Sequence, residues 1–259
     1  MSKKGNESLQ TIVVSGILCL VCSLLVSVIV VNLRPRQAIN KDLDMKKNIL
    51  MSAGLFKKGA DINEAFSKIE TVIIDFETGK ETDAVDAKTY DQIKASSDPS
   101  MNVKIPGKLD LGGLSTRAKY AKIYLSKDES GVVKELILPV KGKGLWSTMY
   151  GFIALEADTK TIKGFAYYSH GETPGLGGEV DNPKWKQQWI GKKLYDEDWK
   201  VAFAVAKGAV NKTSSTAQYK VDGLSGATIT ATGVTNSMQY WFGEHGFGKY
   251  LAVVRGKEI

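Results

Sequence analysis

The sequence predicts an α+β fold: one N-terminal transmembrane helix followed by a domain built on a mixed sheet. Three observations predict it. The stretch from Thr11 to Val31 carries no charge, and at helical rise it is long enough to cross the ~30 Å apolar core of a bilayer. Between Thr71 and Ser169, short apolar or alternating runs come in pairs divided by turn residues, as hairpin strands do. From Ala227 onward, apolar side chains recur at helical spacing, and no strand–helix–strand rhythm links the elements.

Lys3 and Lys4 precede the apolar run, and Arg34, Pro35 and Arg36 end it. This gives a tail over 1–10, a membrane helix over 11–33 and a soluble region over 34–259. A cleaved signal peptide is the rival. The length of the run, with no small-x-small site after it, favours a retained anchor. Cys19 and Cys22 lie inside this helix. Two membrane cysteines cannot assemble a four-ligand zinc site, so they read as helix packing. The soluble region is then free of cysteine, which excludes disulfides, thiolate-held iron–sulfur clusters and cysteine nucleophiles there. The helix has no acidic residue and by itself offers no sodium path.

Ile39 to Phe56 reads as a separate amphipathic helix leaving the membrane, and Asp61 to Ile69 as a second short helix. Thr71 to Phe76 is strand-like. Asp83 to Lys108 is a polar excursion with a short helix near Lys88 to Ile93. Lys119 to Ser126 and Val132 to Val140 form a hairpin about Lys127–Gly131. Phe152 to Glu156 and Thr161 to Ser169 form another about Asp158–Lys160. Trp185 to Ile190 reads as helical, Val201 to Ala206 as strand-like, and Leu251 to Arg255 as a last strand.

Net charge is +7, from 35 basic and 28 acidic residues. The basic residues are scattered among acids, which suits a solvated face beside anionic lipid rather than a nucleic-acid groove. No nucleic-acid partner, metal cluster, general-base pair or nucleophile constellation is expected. No nicotinamide-binding fingerprint stands out either.

Two motifs carry the chemistry. The first is Asp222-Gly-Leu-Ser-Gly-Ala-Thr228. Ala227, Ala231, Val234, Met238 and Trp241 mark one buried helical face. Asp222, Gly223, Ser225 and Gly226 before it supply turn and N-cap chemistry. Thr228 then sits in the first helical turn, where free N–H groups and the helix dipole favour a phosphate. Gly226 and Ala227 leave room for a bulky group on its hydroxyl. The second motif is His170-Gly-Glu-Thr-Pro-Gly-Leu-Gly-Gly178. Its glycines let the backbone bend and approach a flat ligand closely. His170 reads as a turn hydrogen-bonder rather than a proton relay.

Together the two motifs resemble the FMN-binding domain family of bacterial membrane redox complexes. Asn40 to Leu50, Ala53-Gly-Leu55 and Gly142-Lys-Gly-Leu-Trp146 extend the likeness toward the C subunits of the sodium-translocating NADH:ubiquinone oxidoreductases. The G subunits of Rnf-type complexes share the flavin motifs and are the near alternative. A self-contained membrane-anchored flavin reductase is a more distant one.

The resemblance implies FMN held by a phosphoester at Thr228, within a domain over about 140–245. It also implies attachment by an exported flavin transferase that draws on FAD. The other subunits of the complex are the implied partners, and single-electron relay is the implied task. The soluble region would lie in the periplasm, although Arg34, Arg36, Lys41, Lys46 and Lys47 after the helix lean the other way under the positive-inside rule.

Further roles are expected at the site. The backbone of Thr173, Gly175 and Gly177 packs on the flavin ring, with Leu176 against it. Glu172 either orients the ring or ribityl chain, or is an ordinary loop carboxylate. Trp146 shields the flavin or fills a core. Lys207 is a cation near the pyrimidine end or a solvated lysine at a strand end.

Overall fold

The computed structural model describes residues 3–256. Met1 and Ser2 of the expected tail lie outside them, as do Lys257 to Ile259. Two compact units emerge, Met1–Asp44 and Met45–Ile259.

The first unit is helical. Helix α1 runs over Lys3–Ser52, and from Leu9 to Asp42 every side chain is exposed. The stretch from Leu9 is long and apolar enough to cross a membrane. Two of its polar side chains turn back on their own backbone: Ser23 Oγ donates to the Leu20 carbonyl at 2.9 Å and Asn32 Nδ2 to the Val28 carbonyl at 2.8 Å. Such local satisfaction is what a membrane-crossing helix requires.

Two expectations need correction here. Arg34-Pro35-Arg36 does not end the helix, and Ile39 to Phe56 is not a separate one. Pro35 lies inside α1; it removes one N–H donor, and the turns on either side continue. The helix stops at Ser52 in a Schellman motif. Gly54 adopts φ +71°, its N–H donates to the Met51 carbonyl at 3.1 Å, and Leu55 N–H donates to the Leu50 carbonyl at 2.8 Å.

The second unit is built on six strands: β1 (Ile69–Asp75), β2 (Lys80–Glu81), β5 (Tyr120–Lys127), β6 (Val133–Lys143), β7 (Thr148–Glu156) and β8 (Ile162–Ser169). They form one sheet in the order β2-β1-β5-β6-β7-β8. Every pairing in this sheet is antiparallel. Parallel pairing occurs between two short strands, β9 (Ala204–Val205) and β10 (Lys220–Val221). The α+β class therefore holds, and both hairpins fall where the turn residues place them.

Both faces of the sheet are covered, which is why β6 and β7 read as nearly continuous apolar runs. Leu136, Leu138, Val140, Ile153 and Leu155 face one core; Ile137, Phe152 and Ala154 face the other. The second core is closed by Ile49, Leu50 and Ala53 from the end of α1, with Ile62 and Phe66 from the short helix α2 (Ile62–Phe66). Asp61 caps α2 by accepting from the Asn63 and Glu64 N–H groups. The chain passes so close here that a Cβ on Gly164 of β8 would lie 2.3 Å from the Ser52 carbonyl oxygen.

The first core is closed by helix α5 (Thr228–Phe242). Ala227, Ala231, Val234, Met238 and Trp241, the residues of the helical stripe, are all buried in it. Helix α4 (Pro183–Gln187) starts upstream of the expected Trp185 to Ile190, because Asn182 caps it and Pro183 takes its first position. Leu251 to Arg255 is not a strand. It belongs to helix α6 (Gly248–Val254), with Leu251 N–H donating to the Phe247 carbonyl at 2.9 Å. So short an apolar run does not distinguish strand from helix by period.

The polar excursion between β2 and β5 is ordered by specific bonds. Its helix α3 (Gln92–Ala95) starts at the Asp91 cap, later than Lys88. Strands β3 (Asn102–Lys104) and β4 (Thr116–Ala118) pair with each other. The buried Arg117 guanidinium lies 4.8 Å from the Phe76 ring and donates to the Ala118 carbonyl at 3.1 Å. Lys141 of β6 donates to Ser96 Oγ at 2.9 Å. Burial without a carboxylate partner pushes that amine down.

Candidate functional site

Three segments converge at the start of α5. Ala227 occupies the N-cap, with no side-chain cap bond, so the expected capping by Asp222 or Ser225 does not occur. Asp222 is tied elsewhere: Oδ1 accepts from Val210 N–H at 2.7 Å, and its carbonyl accepts from Trp185 Nε1 at 2.7 Å. The turn that follows places Gly226 at φ +69°, a conformation glycine adopts without Cβ strain. The first turn of α5 therefore keeps free N–H groups. Thr228, its first residue, is exposed, as are Ser225 and Ile229. Thr230, two residues on, is buried with 1% of its surface accessible.

Glu172 joins the three segments. It is buried, and its carboxylate accepts Thr230 Oγ1–H at 2.5 Å. It also accepts the N–H groups of Leu145 at 3.1 Å, Trp146 at 2.9 Å and Ser147 at 3.3 Å. Those three residues form the tip of the β6–β7 hairpin, closed by Gly144 N–H to the Ser147 carbonyl at 2.8 Å. Burial alone raises the Glu172 carboxyl, but the bonds from Thr230 and the hairpin amides outweigh it and hold it below the usual carboxylate range. These bonds engage both carboxylate oxygens with the chain itself; its partnership with the hairpin-tip backbone and the Thr230 hydroxyl is not legible in the sequence.

The glycine loop lies beside this clamp. Leu176 and Gly178 N–H groups both return to the Thr173 carbonyl, at 3.1 and 2.9 Å, and Gly175 takes φ +77°. Thr173, Gly175 and Leu176 are exposed, whereas Gly177 is buried. A Cβ at Gly177 would stand 2.6 Å from Thr230 Oγ1 and 2.8 Å from Glu172 Oε2. Gly177→Val is therefore expected to break the Glu172–Thr230 bond and cost roughly 1–3 kcal/mol by overpacking, measurable as a lowered Tm. Gly175→Ala meets nothing within 4 Å and tests only the backbone conformation.

His170 holds the loop's entry. Its Nδ1 accepts from Glu172 N–H at 3.2 Å and its Nε2 lies 2.7 Å from Asp181 Oδ2. This is the arrangement of a turn hydrogen-bonder. Tyr167 beneath it is fully buried. Burial, then the Asp181 and Glu172 carboxylates, push its phenol up, so it stays protonated.

Around these elements lie exposed apolar side chains. Trp146 is 70% accessible, Ile229 59%, Leu145 50% and Leu176 44%. Leu176 leans over the Gly226 turn; its Cδ2 would be 2.9 Å from a Cβ there. Trp146 is thus not a core filler but projects from the hairpin tip. Lys207 is exposed in the loop after β9. That loop is bonded to the motif turn through Gly223 N–H to the Gly208 carbonyl at 2.8 Å.

Thr228 also lines a cleft of about 270 Å³. One wall is the outer face of α5: Thr228, Ile229, Thr232, Gly233 and Asn236. The second is Lys143 and Gly144 at the end of β6. The third is Leu111 to Gly113 of the polar excursion. A Cβ on Gly233 would lie 2.1 Å from the Lys143 carbonyl oxygen, so glycine is what lets helix and strand end meet. The part of the excursion in this cleft was not legible in the sequence.

An exposed hydroxyl at an uncapped helix start, a glycine loop and a rim of apolar side chains fit a flat phosphate-bearing cofactor. In accord with this, the chain carries an FMN-binding domain: that family's profile matches residues 144–243. The C subunit of the Na(+)-translocating NADH-quinone reductase of Pseudomonas aeruginosa is 44% identical over 257 residues, covering 98% of both chains. Its counterpart in Vibrio alginolyticus is 44% identical and covers 100% of both. The crystal structure of Shewanella oneidensis NqrC superposes with a TM-score of 0.77 at 35% identity, covering 85% of this chain and 100% of that one. The C-subunit structure from Parabacteroides distasonis gives a TM-score of 0.65 at 26% identity, covering 85% and 96%. The chain belongs to the family of Na(+)-translocating NADH-quinone reductase C subunits.

Proposed function

We propose that the chain is the electron-relaying C subunit of a membrane NADH:quinone oxidoreductase that moves sodium, and that its FMN is joined through a phosphoester to Thr228. One observation carries the attachment site. Of the two threonines in Thr228-Ile-Thr230, Thr228 is exposed beside the cleft, while the Thr230 hydroxyl is buried and committed to Glu172. An enzyme delivering a flavin reaches the first and not the second. Peptide mapping of the fluorescent band from a denaturing gel tests this; flavin on Ser225 or Thr230 refutes it.

When bound, FMN supplies stepwise acceptance and release of electrons. The chain's own residues position it. Glu172 holds the Trp146 hairpin, the glycine loop and the α5 start in one arrangement, so that the ring need not order them on binding. Trp146, Leu176 and Ile229 offer apolar surface against the ring. Gly175 and Gly177 would let the backbone of the Thr173 to Gly177 loop approach the ring. Lys207 places a cation near the same turn, suited to negative charge on a reduced flavin. The other subunits of the complex are its electron partners, and an exported transferase drawing on FAD matures it.

The same reading places α1 in the inner membrane with the second unit in the periplasm, where that transferase reaches Thr228. Alkaline phosphatase fused after Ile259 is then expected to be active, since it needs periplasmic disulfides. An inactive fusion beside an active cytoplasmic reporter would reverse the orientation.

A further inference from the structure

Lys143 and the Leu111–Gly113 turn share the cleft with Thr228, yet both lie before the FMN-binding domain match, which starts at residue 144. The turn is built with care. Asp110 Oδ1 accepts Leu114 N–H at 2.6 Å and Oδ2 accepts Ser115 N–H at 2.7 Å. Gly113 is in the left-handed region at φ +65°. The Gly112 carbonyl accepts Lys143 N–H at 2.9 Å, which fixes the lysine's backbone. The Lys143 stem runs along Gly113: a Cβ there would lie 3.3 Å from Lys143 Cδ and 3.5 Å from its Cβ and Cγ. Among the described residues, no carboxylate forms an ion pair with Lys143. Lys143, exposed and with its stem held along the glycine turn, thus lines the same cleft as the exposed Thr228.

We infer that Lys143 is the counter-ion of the flavin's phosphate link, and that the 110–115 turn is the device that aims it. A phosphate esterified on both sides keeps one negative charge, and a lysine ammonium in the same cleft neutralises it by a charge-assisted hydrogen bond. This rests on flavin attachment at Thr228. It gives the polar excursion a role: anchored through Arg117 and Ser96, it supplies the third wall of the phosphate end of the site.

The test compares full-length protein in detergent, made with flavin transferase, with the Thr228→Val chain. Each is treated briefly with an amine-acylating reagent and the modified lysines are quantified by mass spectrometry. Lys143 is expected to react several-fold more slowly in the flavin-bearing protein, while exposed Lys94 reacts equally in both. With transferase limiting, Lys143→Met is expected to lower the flavin content per chain and Lys143→Arg to restore it. Peptide mapping of the same samples separates the two ideas. Absence of flavin from Thr228 would defeat the attachment reading and this one with it. Flavin on Thr228, with Lys143 equally reactive in both proteins and Lys143→Met fully flavinylated, would overturn the counter-ion role alone.

Discussion

Thr228→Val is expected to abolish flavin fluorescence on a denaturing gel while leaving the fold intact. Valine keeps the β-branched shape and removes only an exposed hydroxyl. The stability change should stay within about 0.5 kcal/mol, as for other surface substitutions away from special features. The informative partner is Thr230→Val. Its hydroxyl is buried and donates to Glu172 at 2.5 Å. Losing it deprives a buried carboxylate of a donor and is expected to cost roughly 1–3 kcal/mol, yet the gel band should remain fluorescent. The two threonines are thus predicted to separate attachment from stability. A fluorescent Thr228→Val protein, or loss of flavin in a well-folded Thr230→Val protein, would contradict the assignment.

The parts of this molecule legible in the sequence are those fixed by local chemistry. The uncharged Thr11 to Val31 run marks its helix because a bilayer demands length and apolarity together. The hairpins show because turn residues divide paired apolar runs, and the α5 stripe because 15 residues suffice to display a helical period. Short elements gave no such signal, so Leu251 to Arg255 read as a strand. Pro35 read as a helix end because its local effect says nothing of the turns that continue past it.

The site divides in the same way. Thr228, Gly175, Leu176 and Gly177 were singled out by the two motifs together with the family resemblance that those motifs carry. Glu172 was singled out, but its bonds reach Trp146 and Thr230, which only the folded sheet brings near. Lys143 is legible only as part of the Gly142–Trp146 likeness, with no role at the site. Its place depends on a turn of the polar excursion, the stretch least like anything recognisable. Long-range convergence is what single-sequence periodicity does not encode.

Removal of the Glu172 carboxylate should produce the largest loss of stability in the site. Glu172→Ala leaves the Leu145, Trp146 and Ser147 amides and the Thr230 hydroxyl without their acceptor. The hairpin tip is exposed enough for water to replace part of this, so the expected cost is about 2–4 kcal/mol rather than the full sum of four orphaned donors. Glu172→Gln keeps one oxygen acceptor but turns an NH₂ toward groups that are all donors, and should cost about 1–2 kcal/mol. For a unit of this size each kcal/mol lowers Tm by roughly 2–4 °C.

The pH dependence separates a charge effect from simple packing. The Glu172 carboxyl is held below its usual range in the folded chain, so folding favours its ionised form. The stability it contributes is fully present above the unfolded value of about 4.3, and it is lost as pH falls through the folded value. The gap in stability between wild type and Glu172→Gln should therefore be constant near neutrality and narrow in acid below about pH 4.3. A gap that stays the same down to acid unfolding would mean that the glutamate acts by shape alone. Since the same carboxylate fixes the Trp146 hairpin relative to Thr228, the Gln variant should also shift the absorption band of the attached flavin, an effect that mere destabilisation of a distant site would not produce.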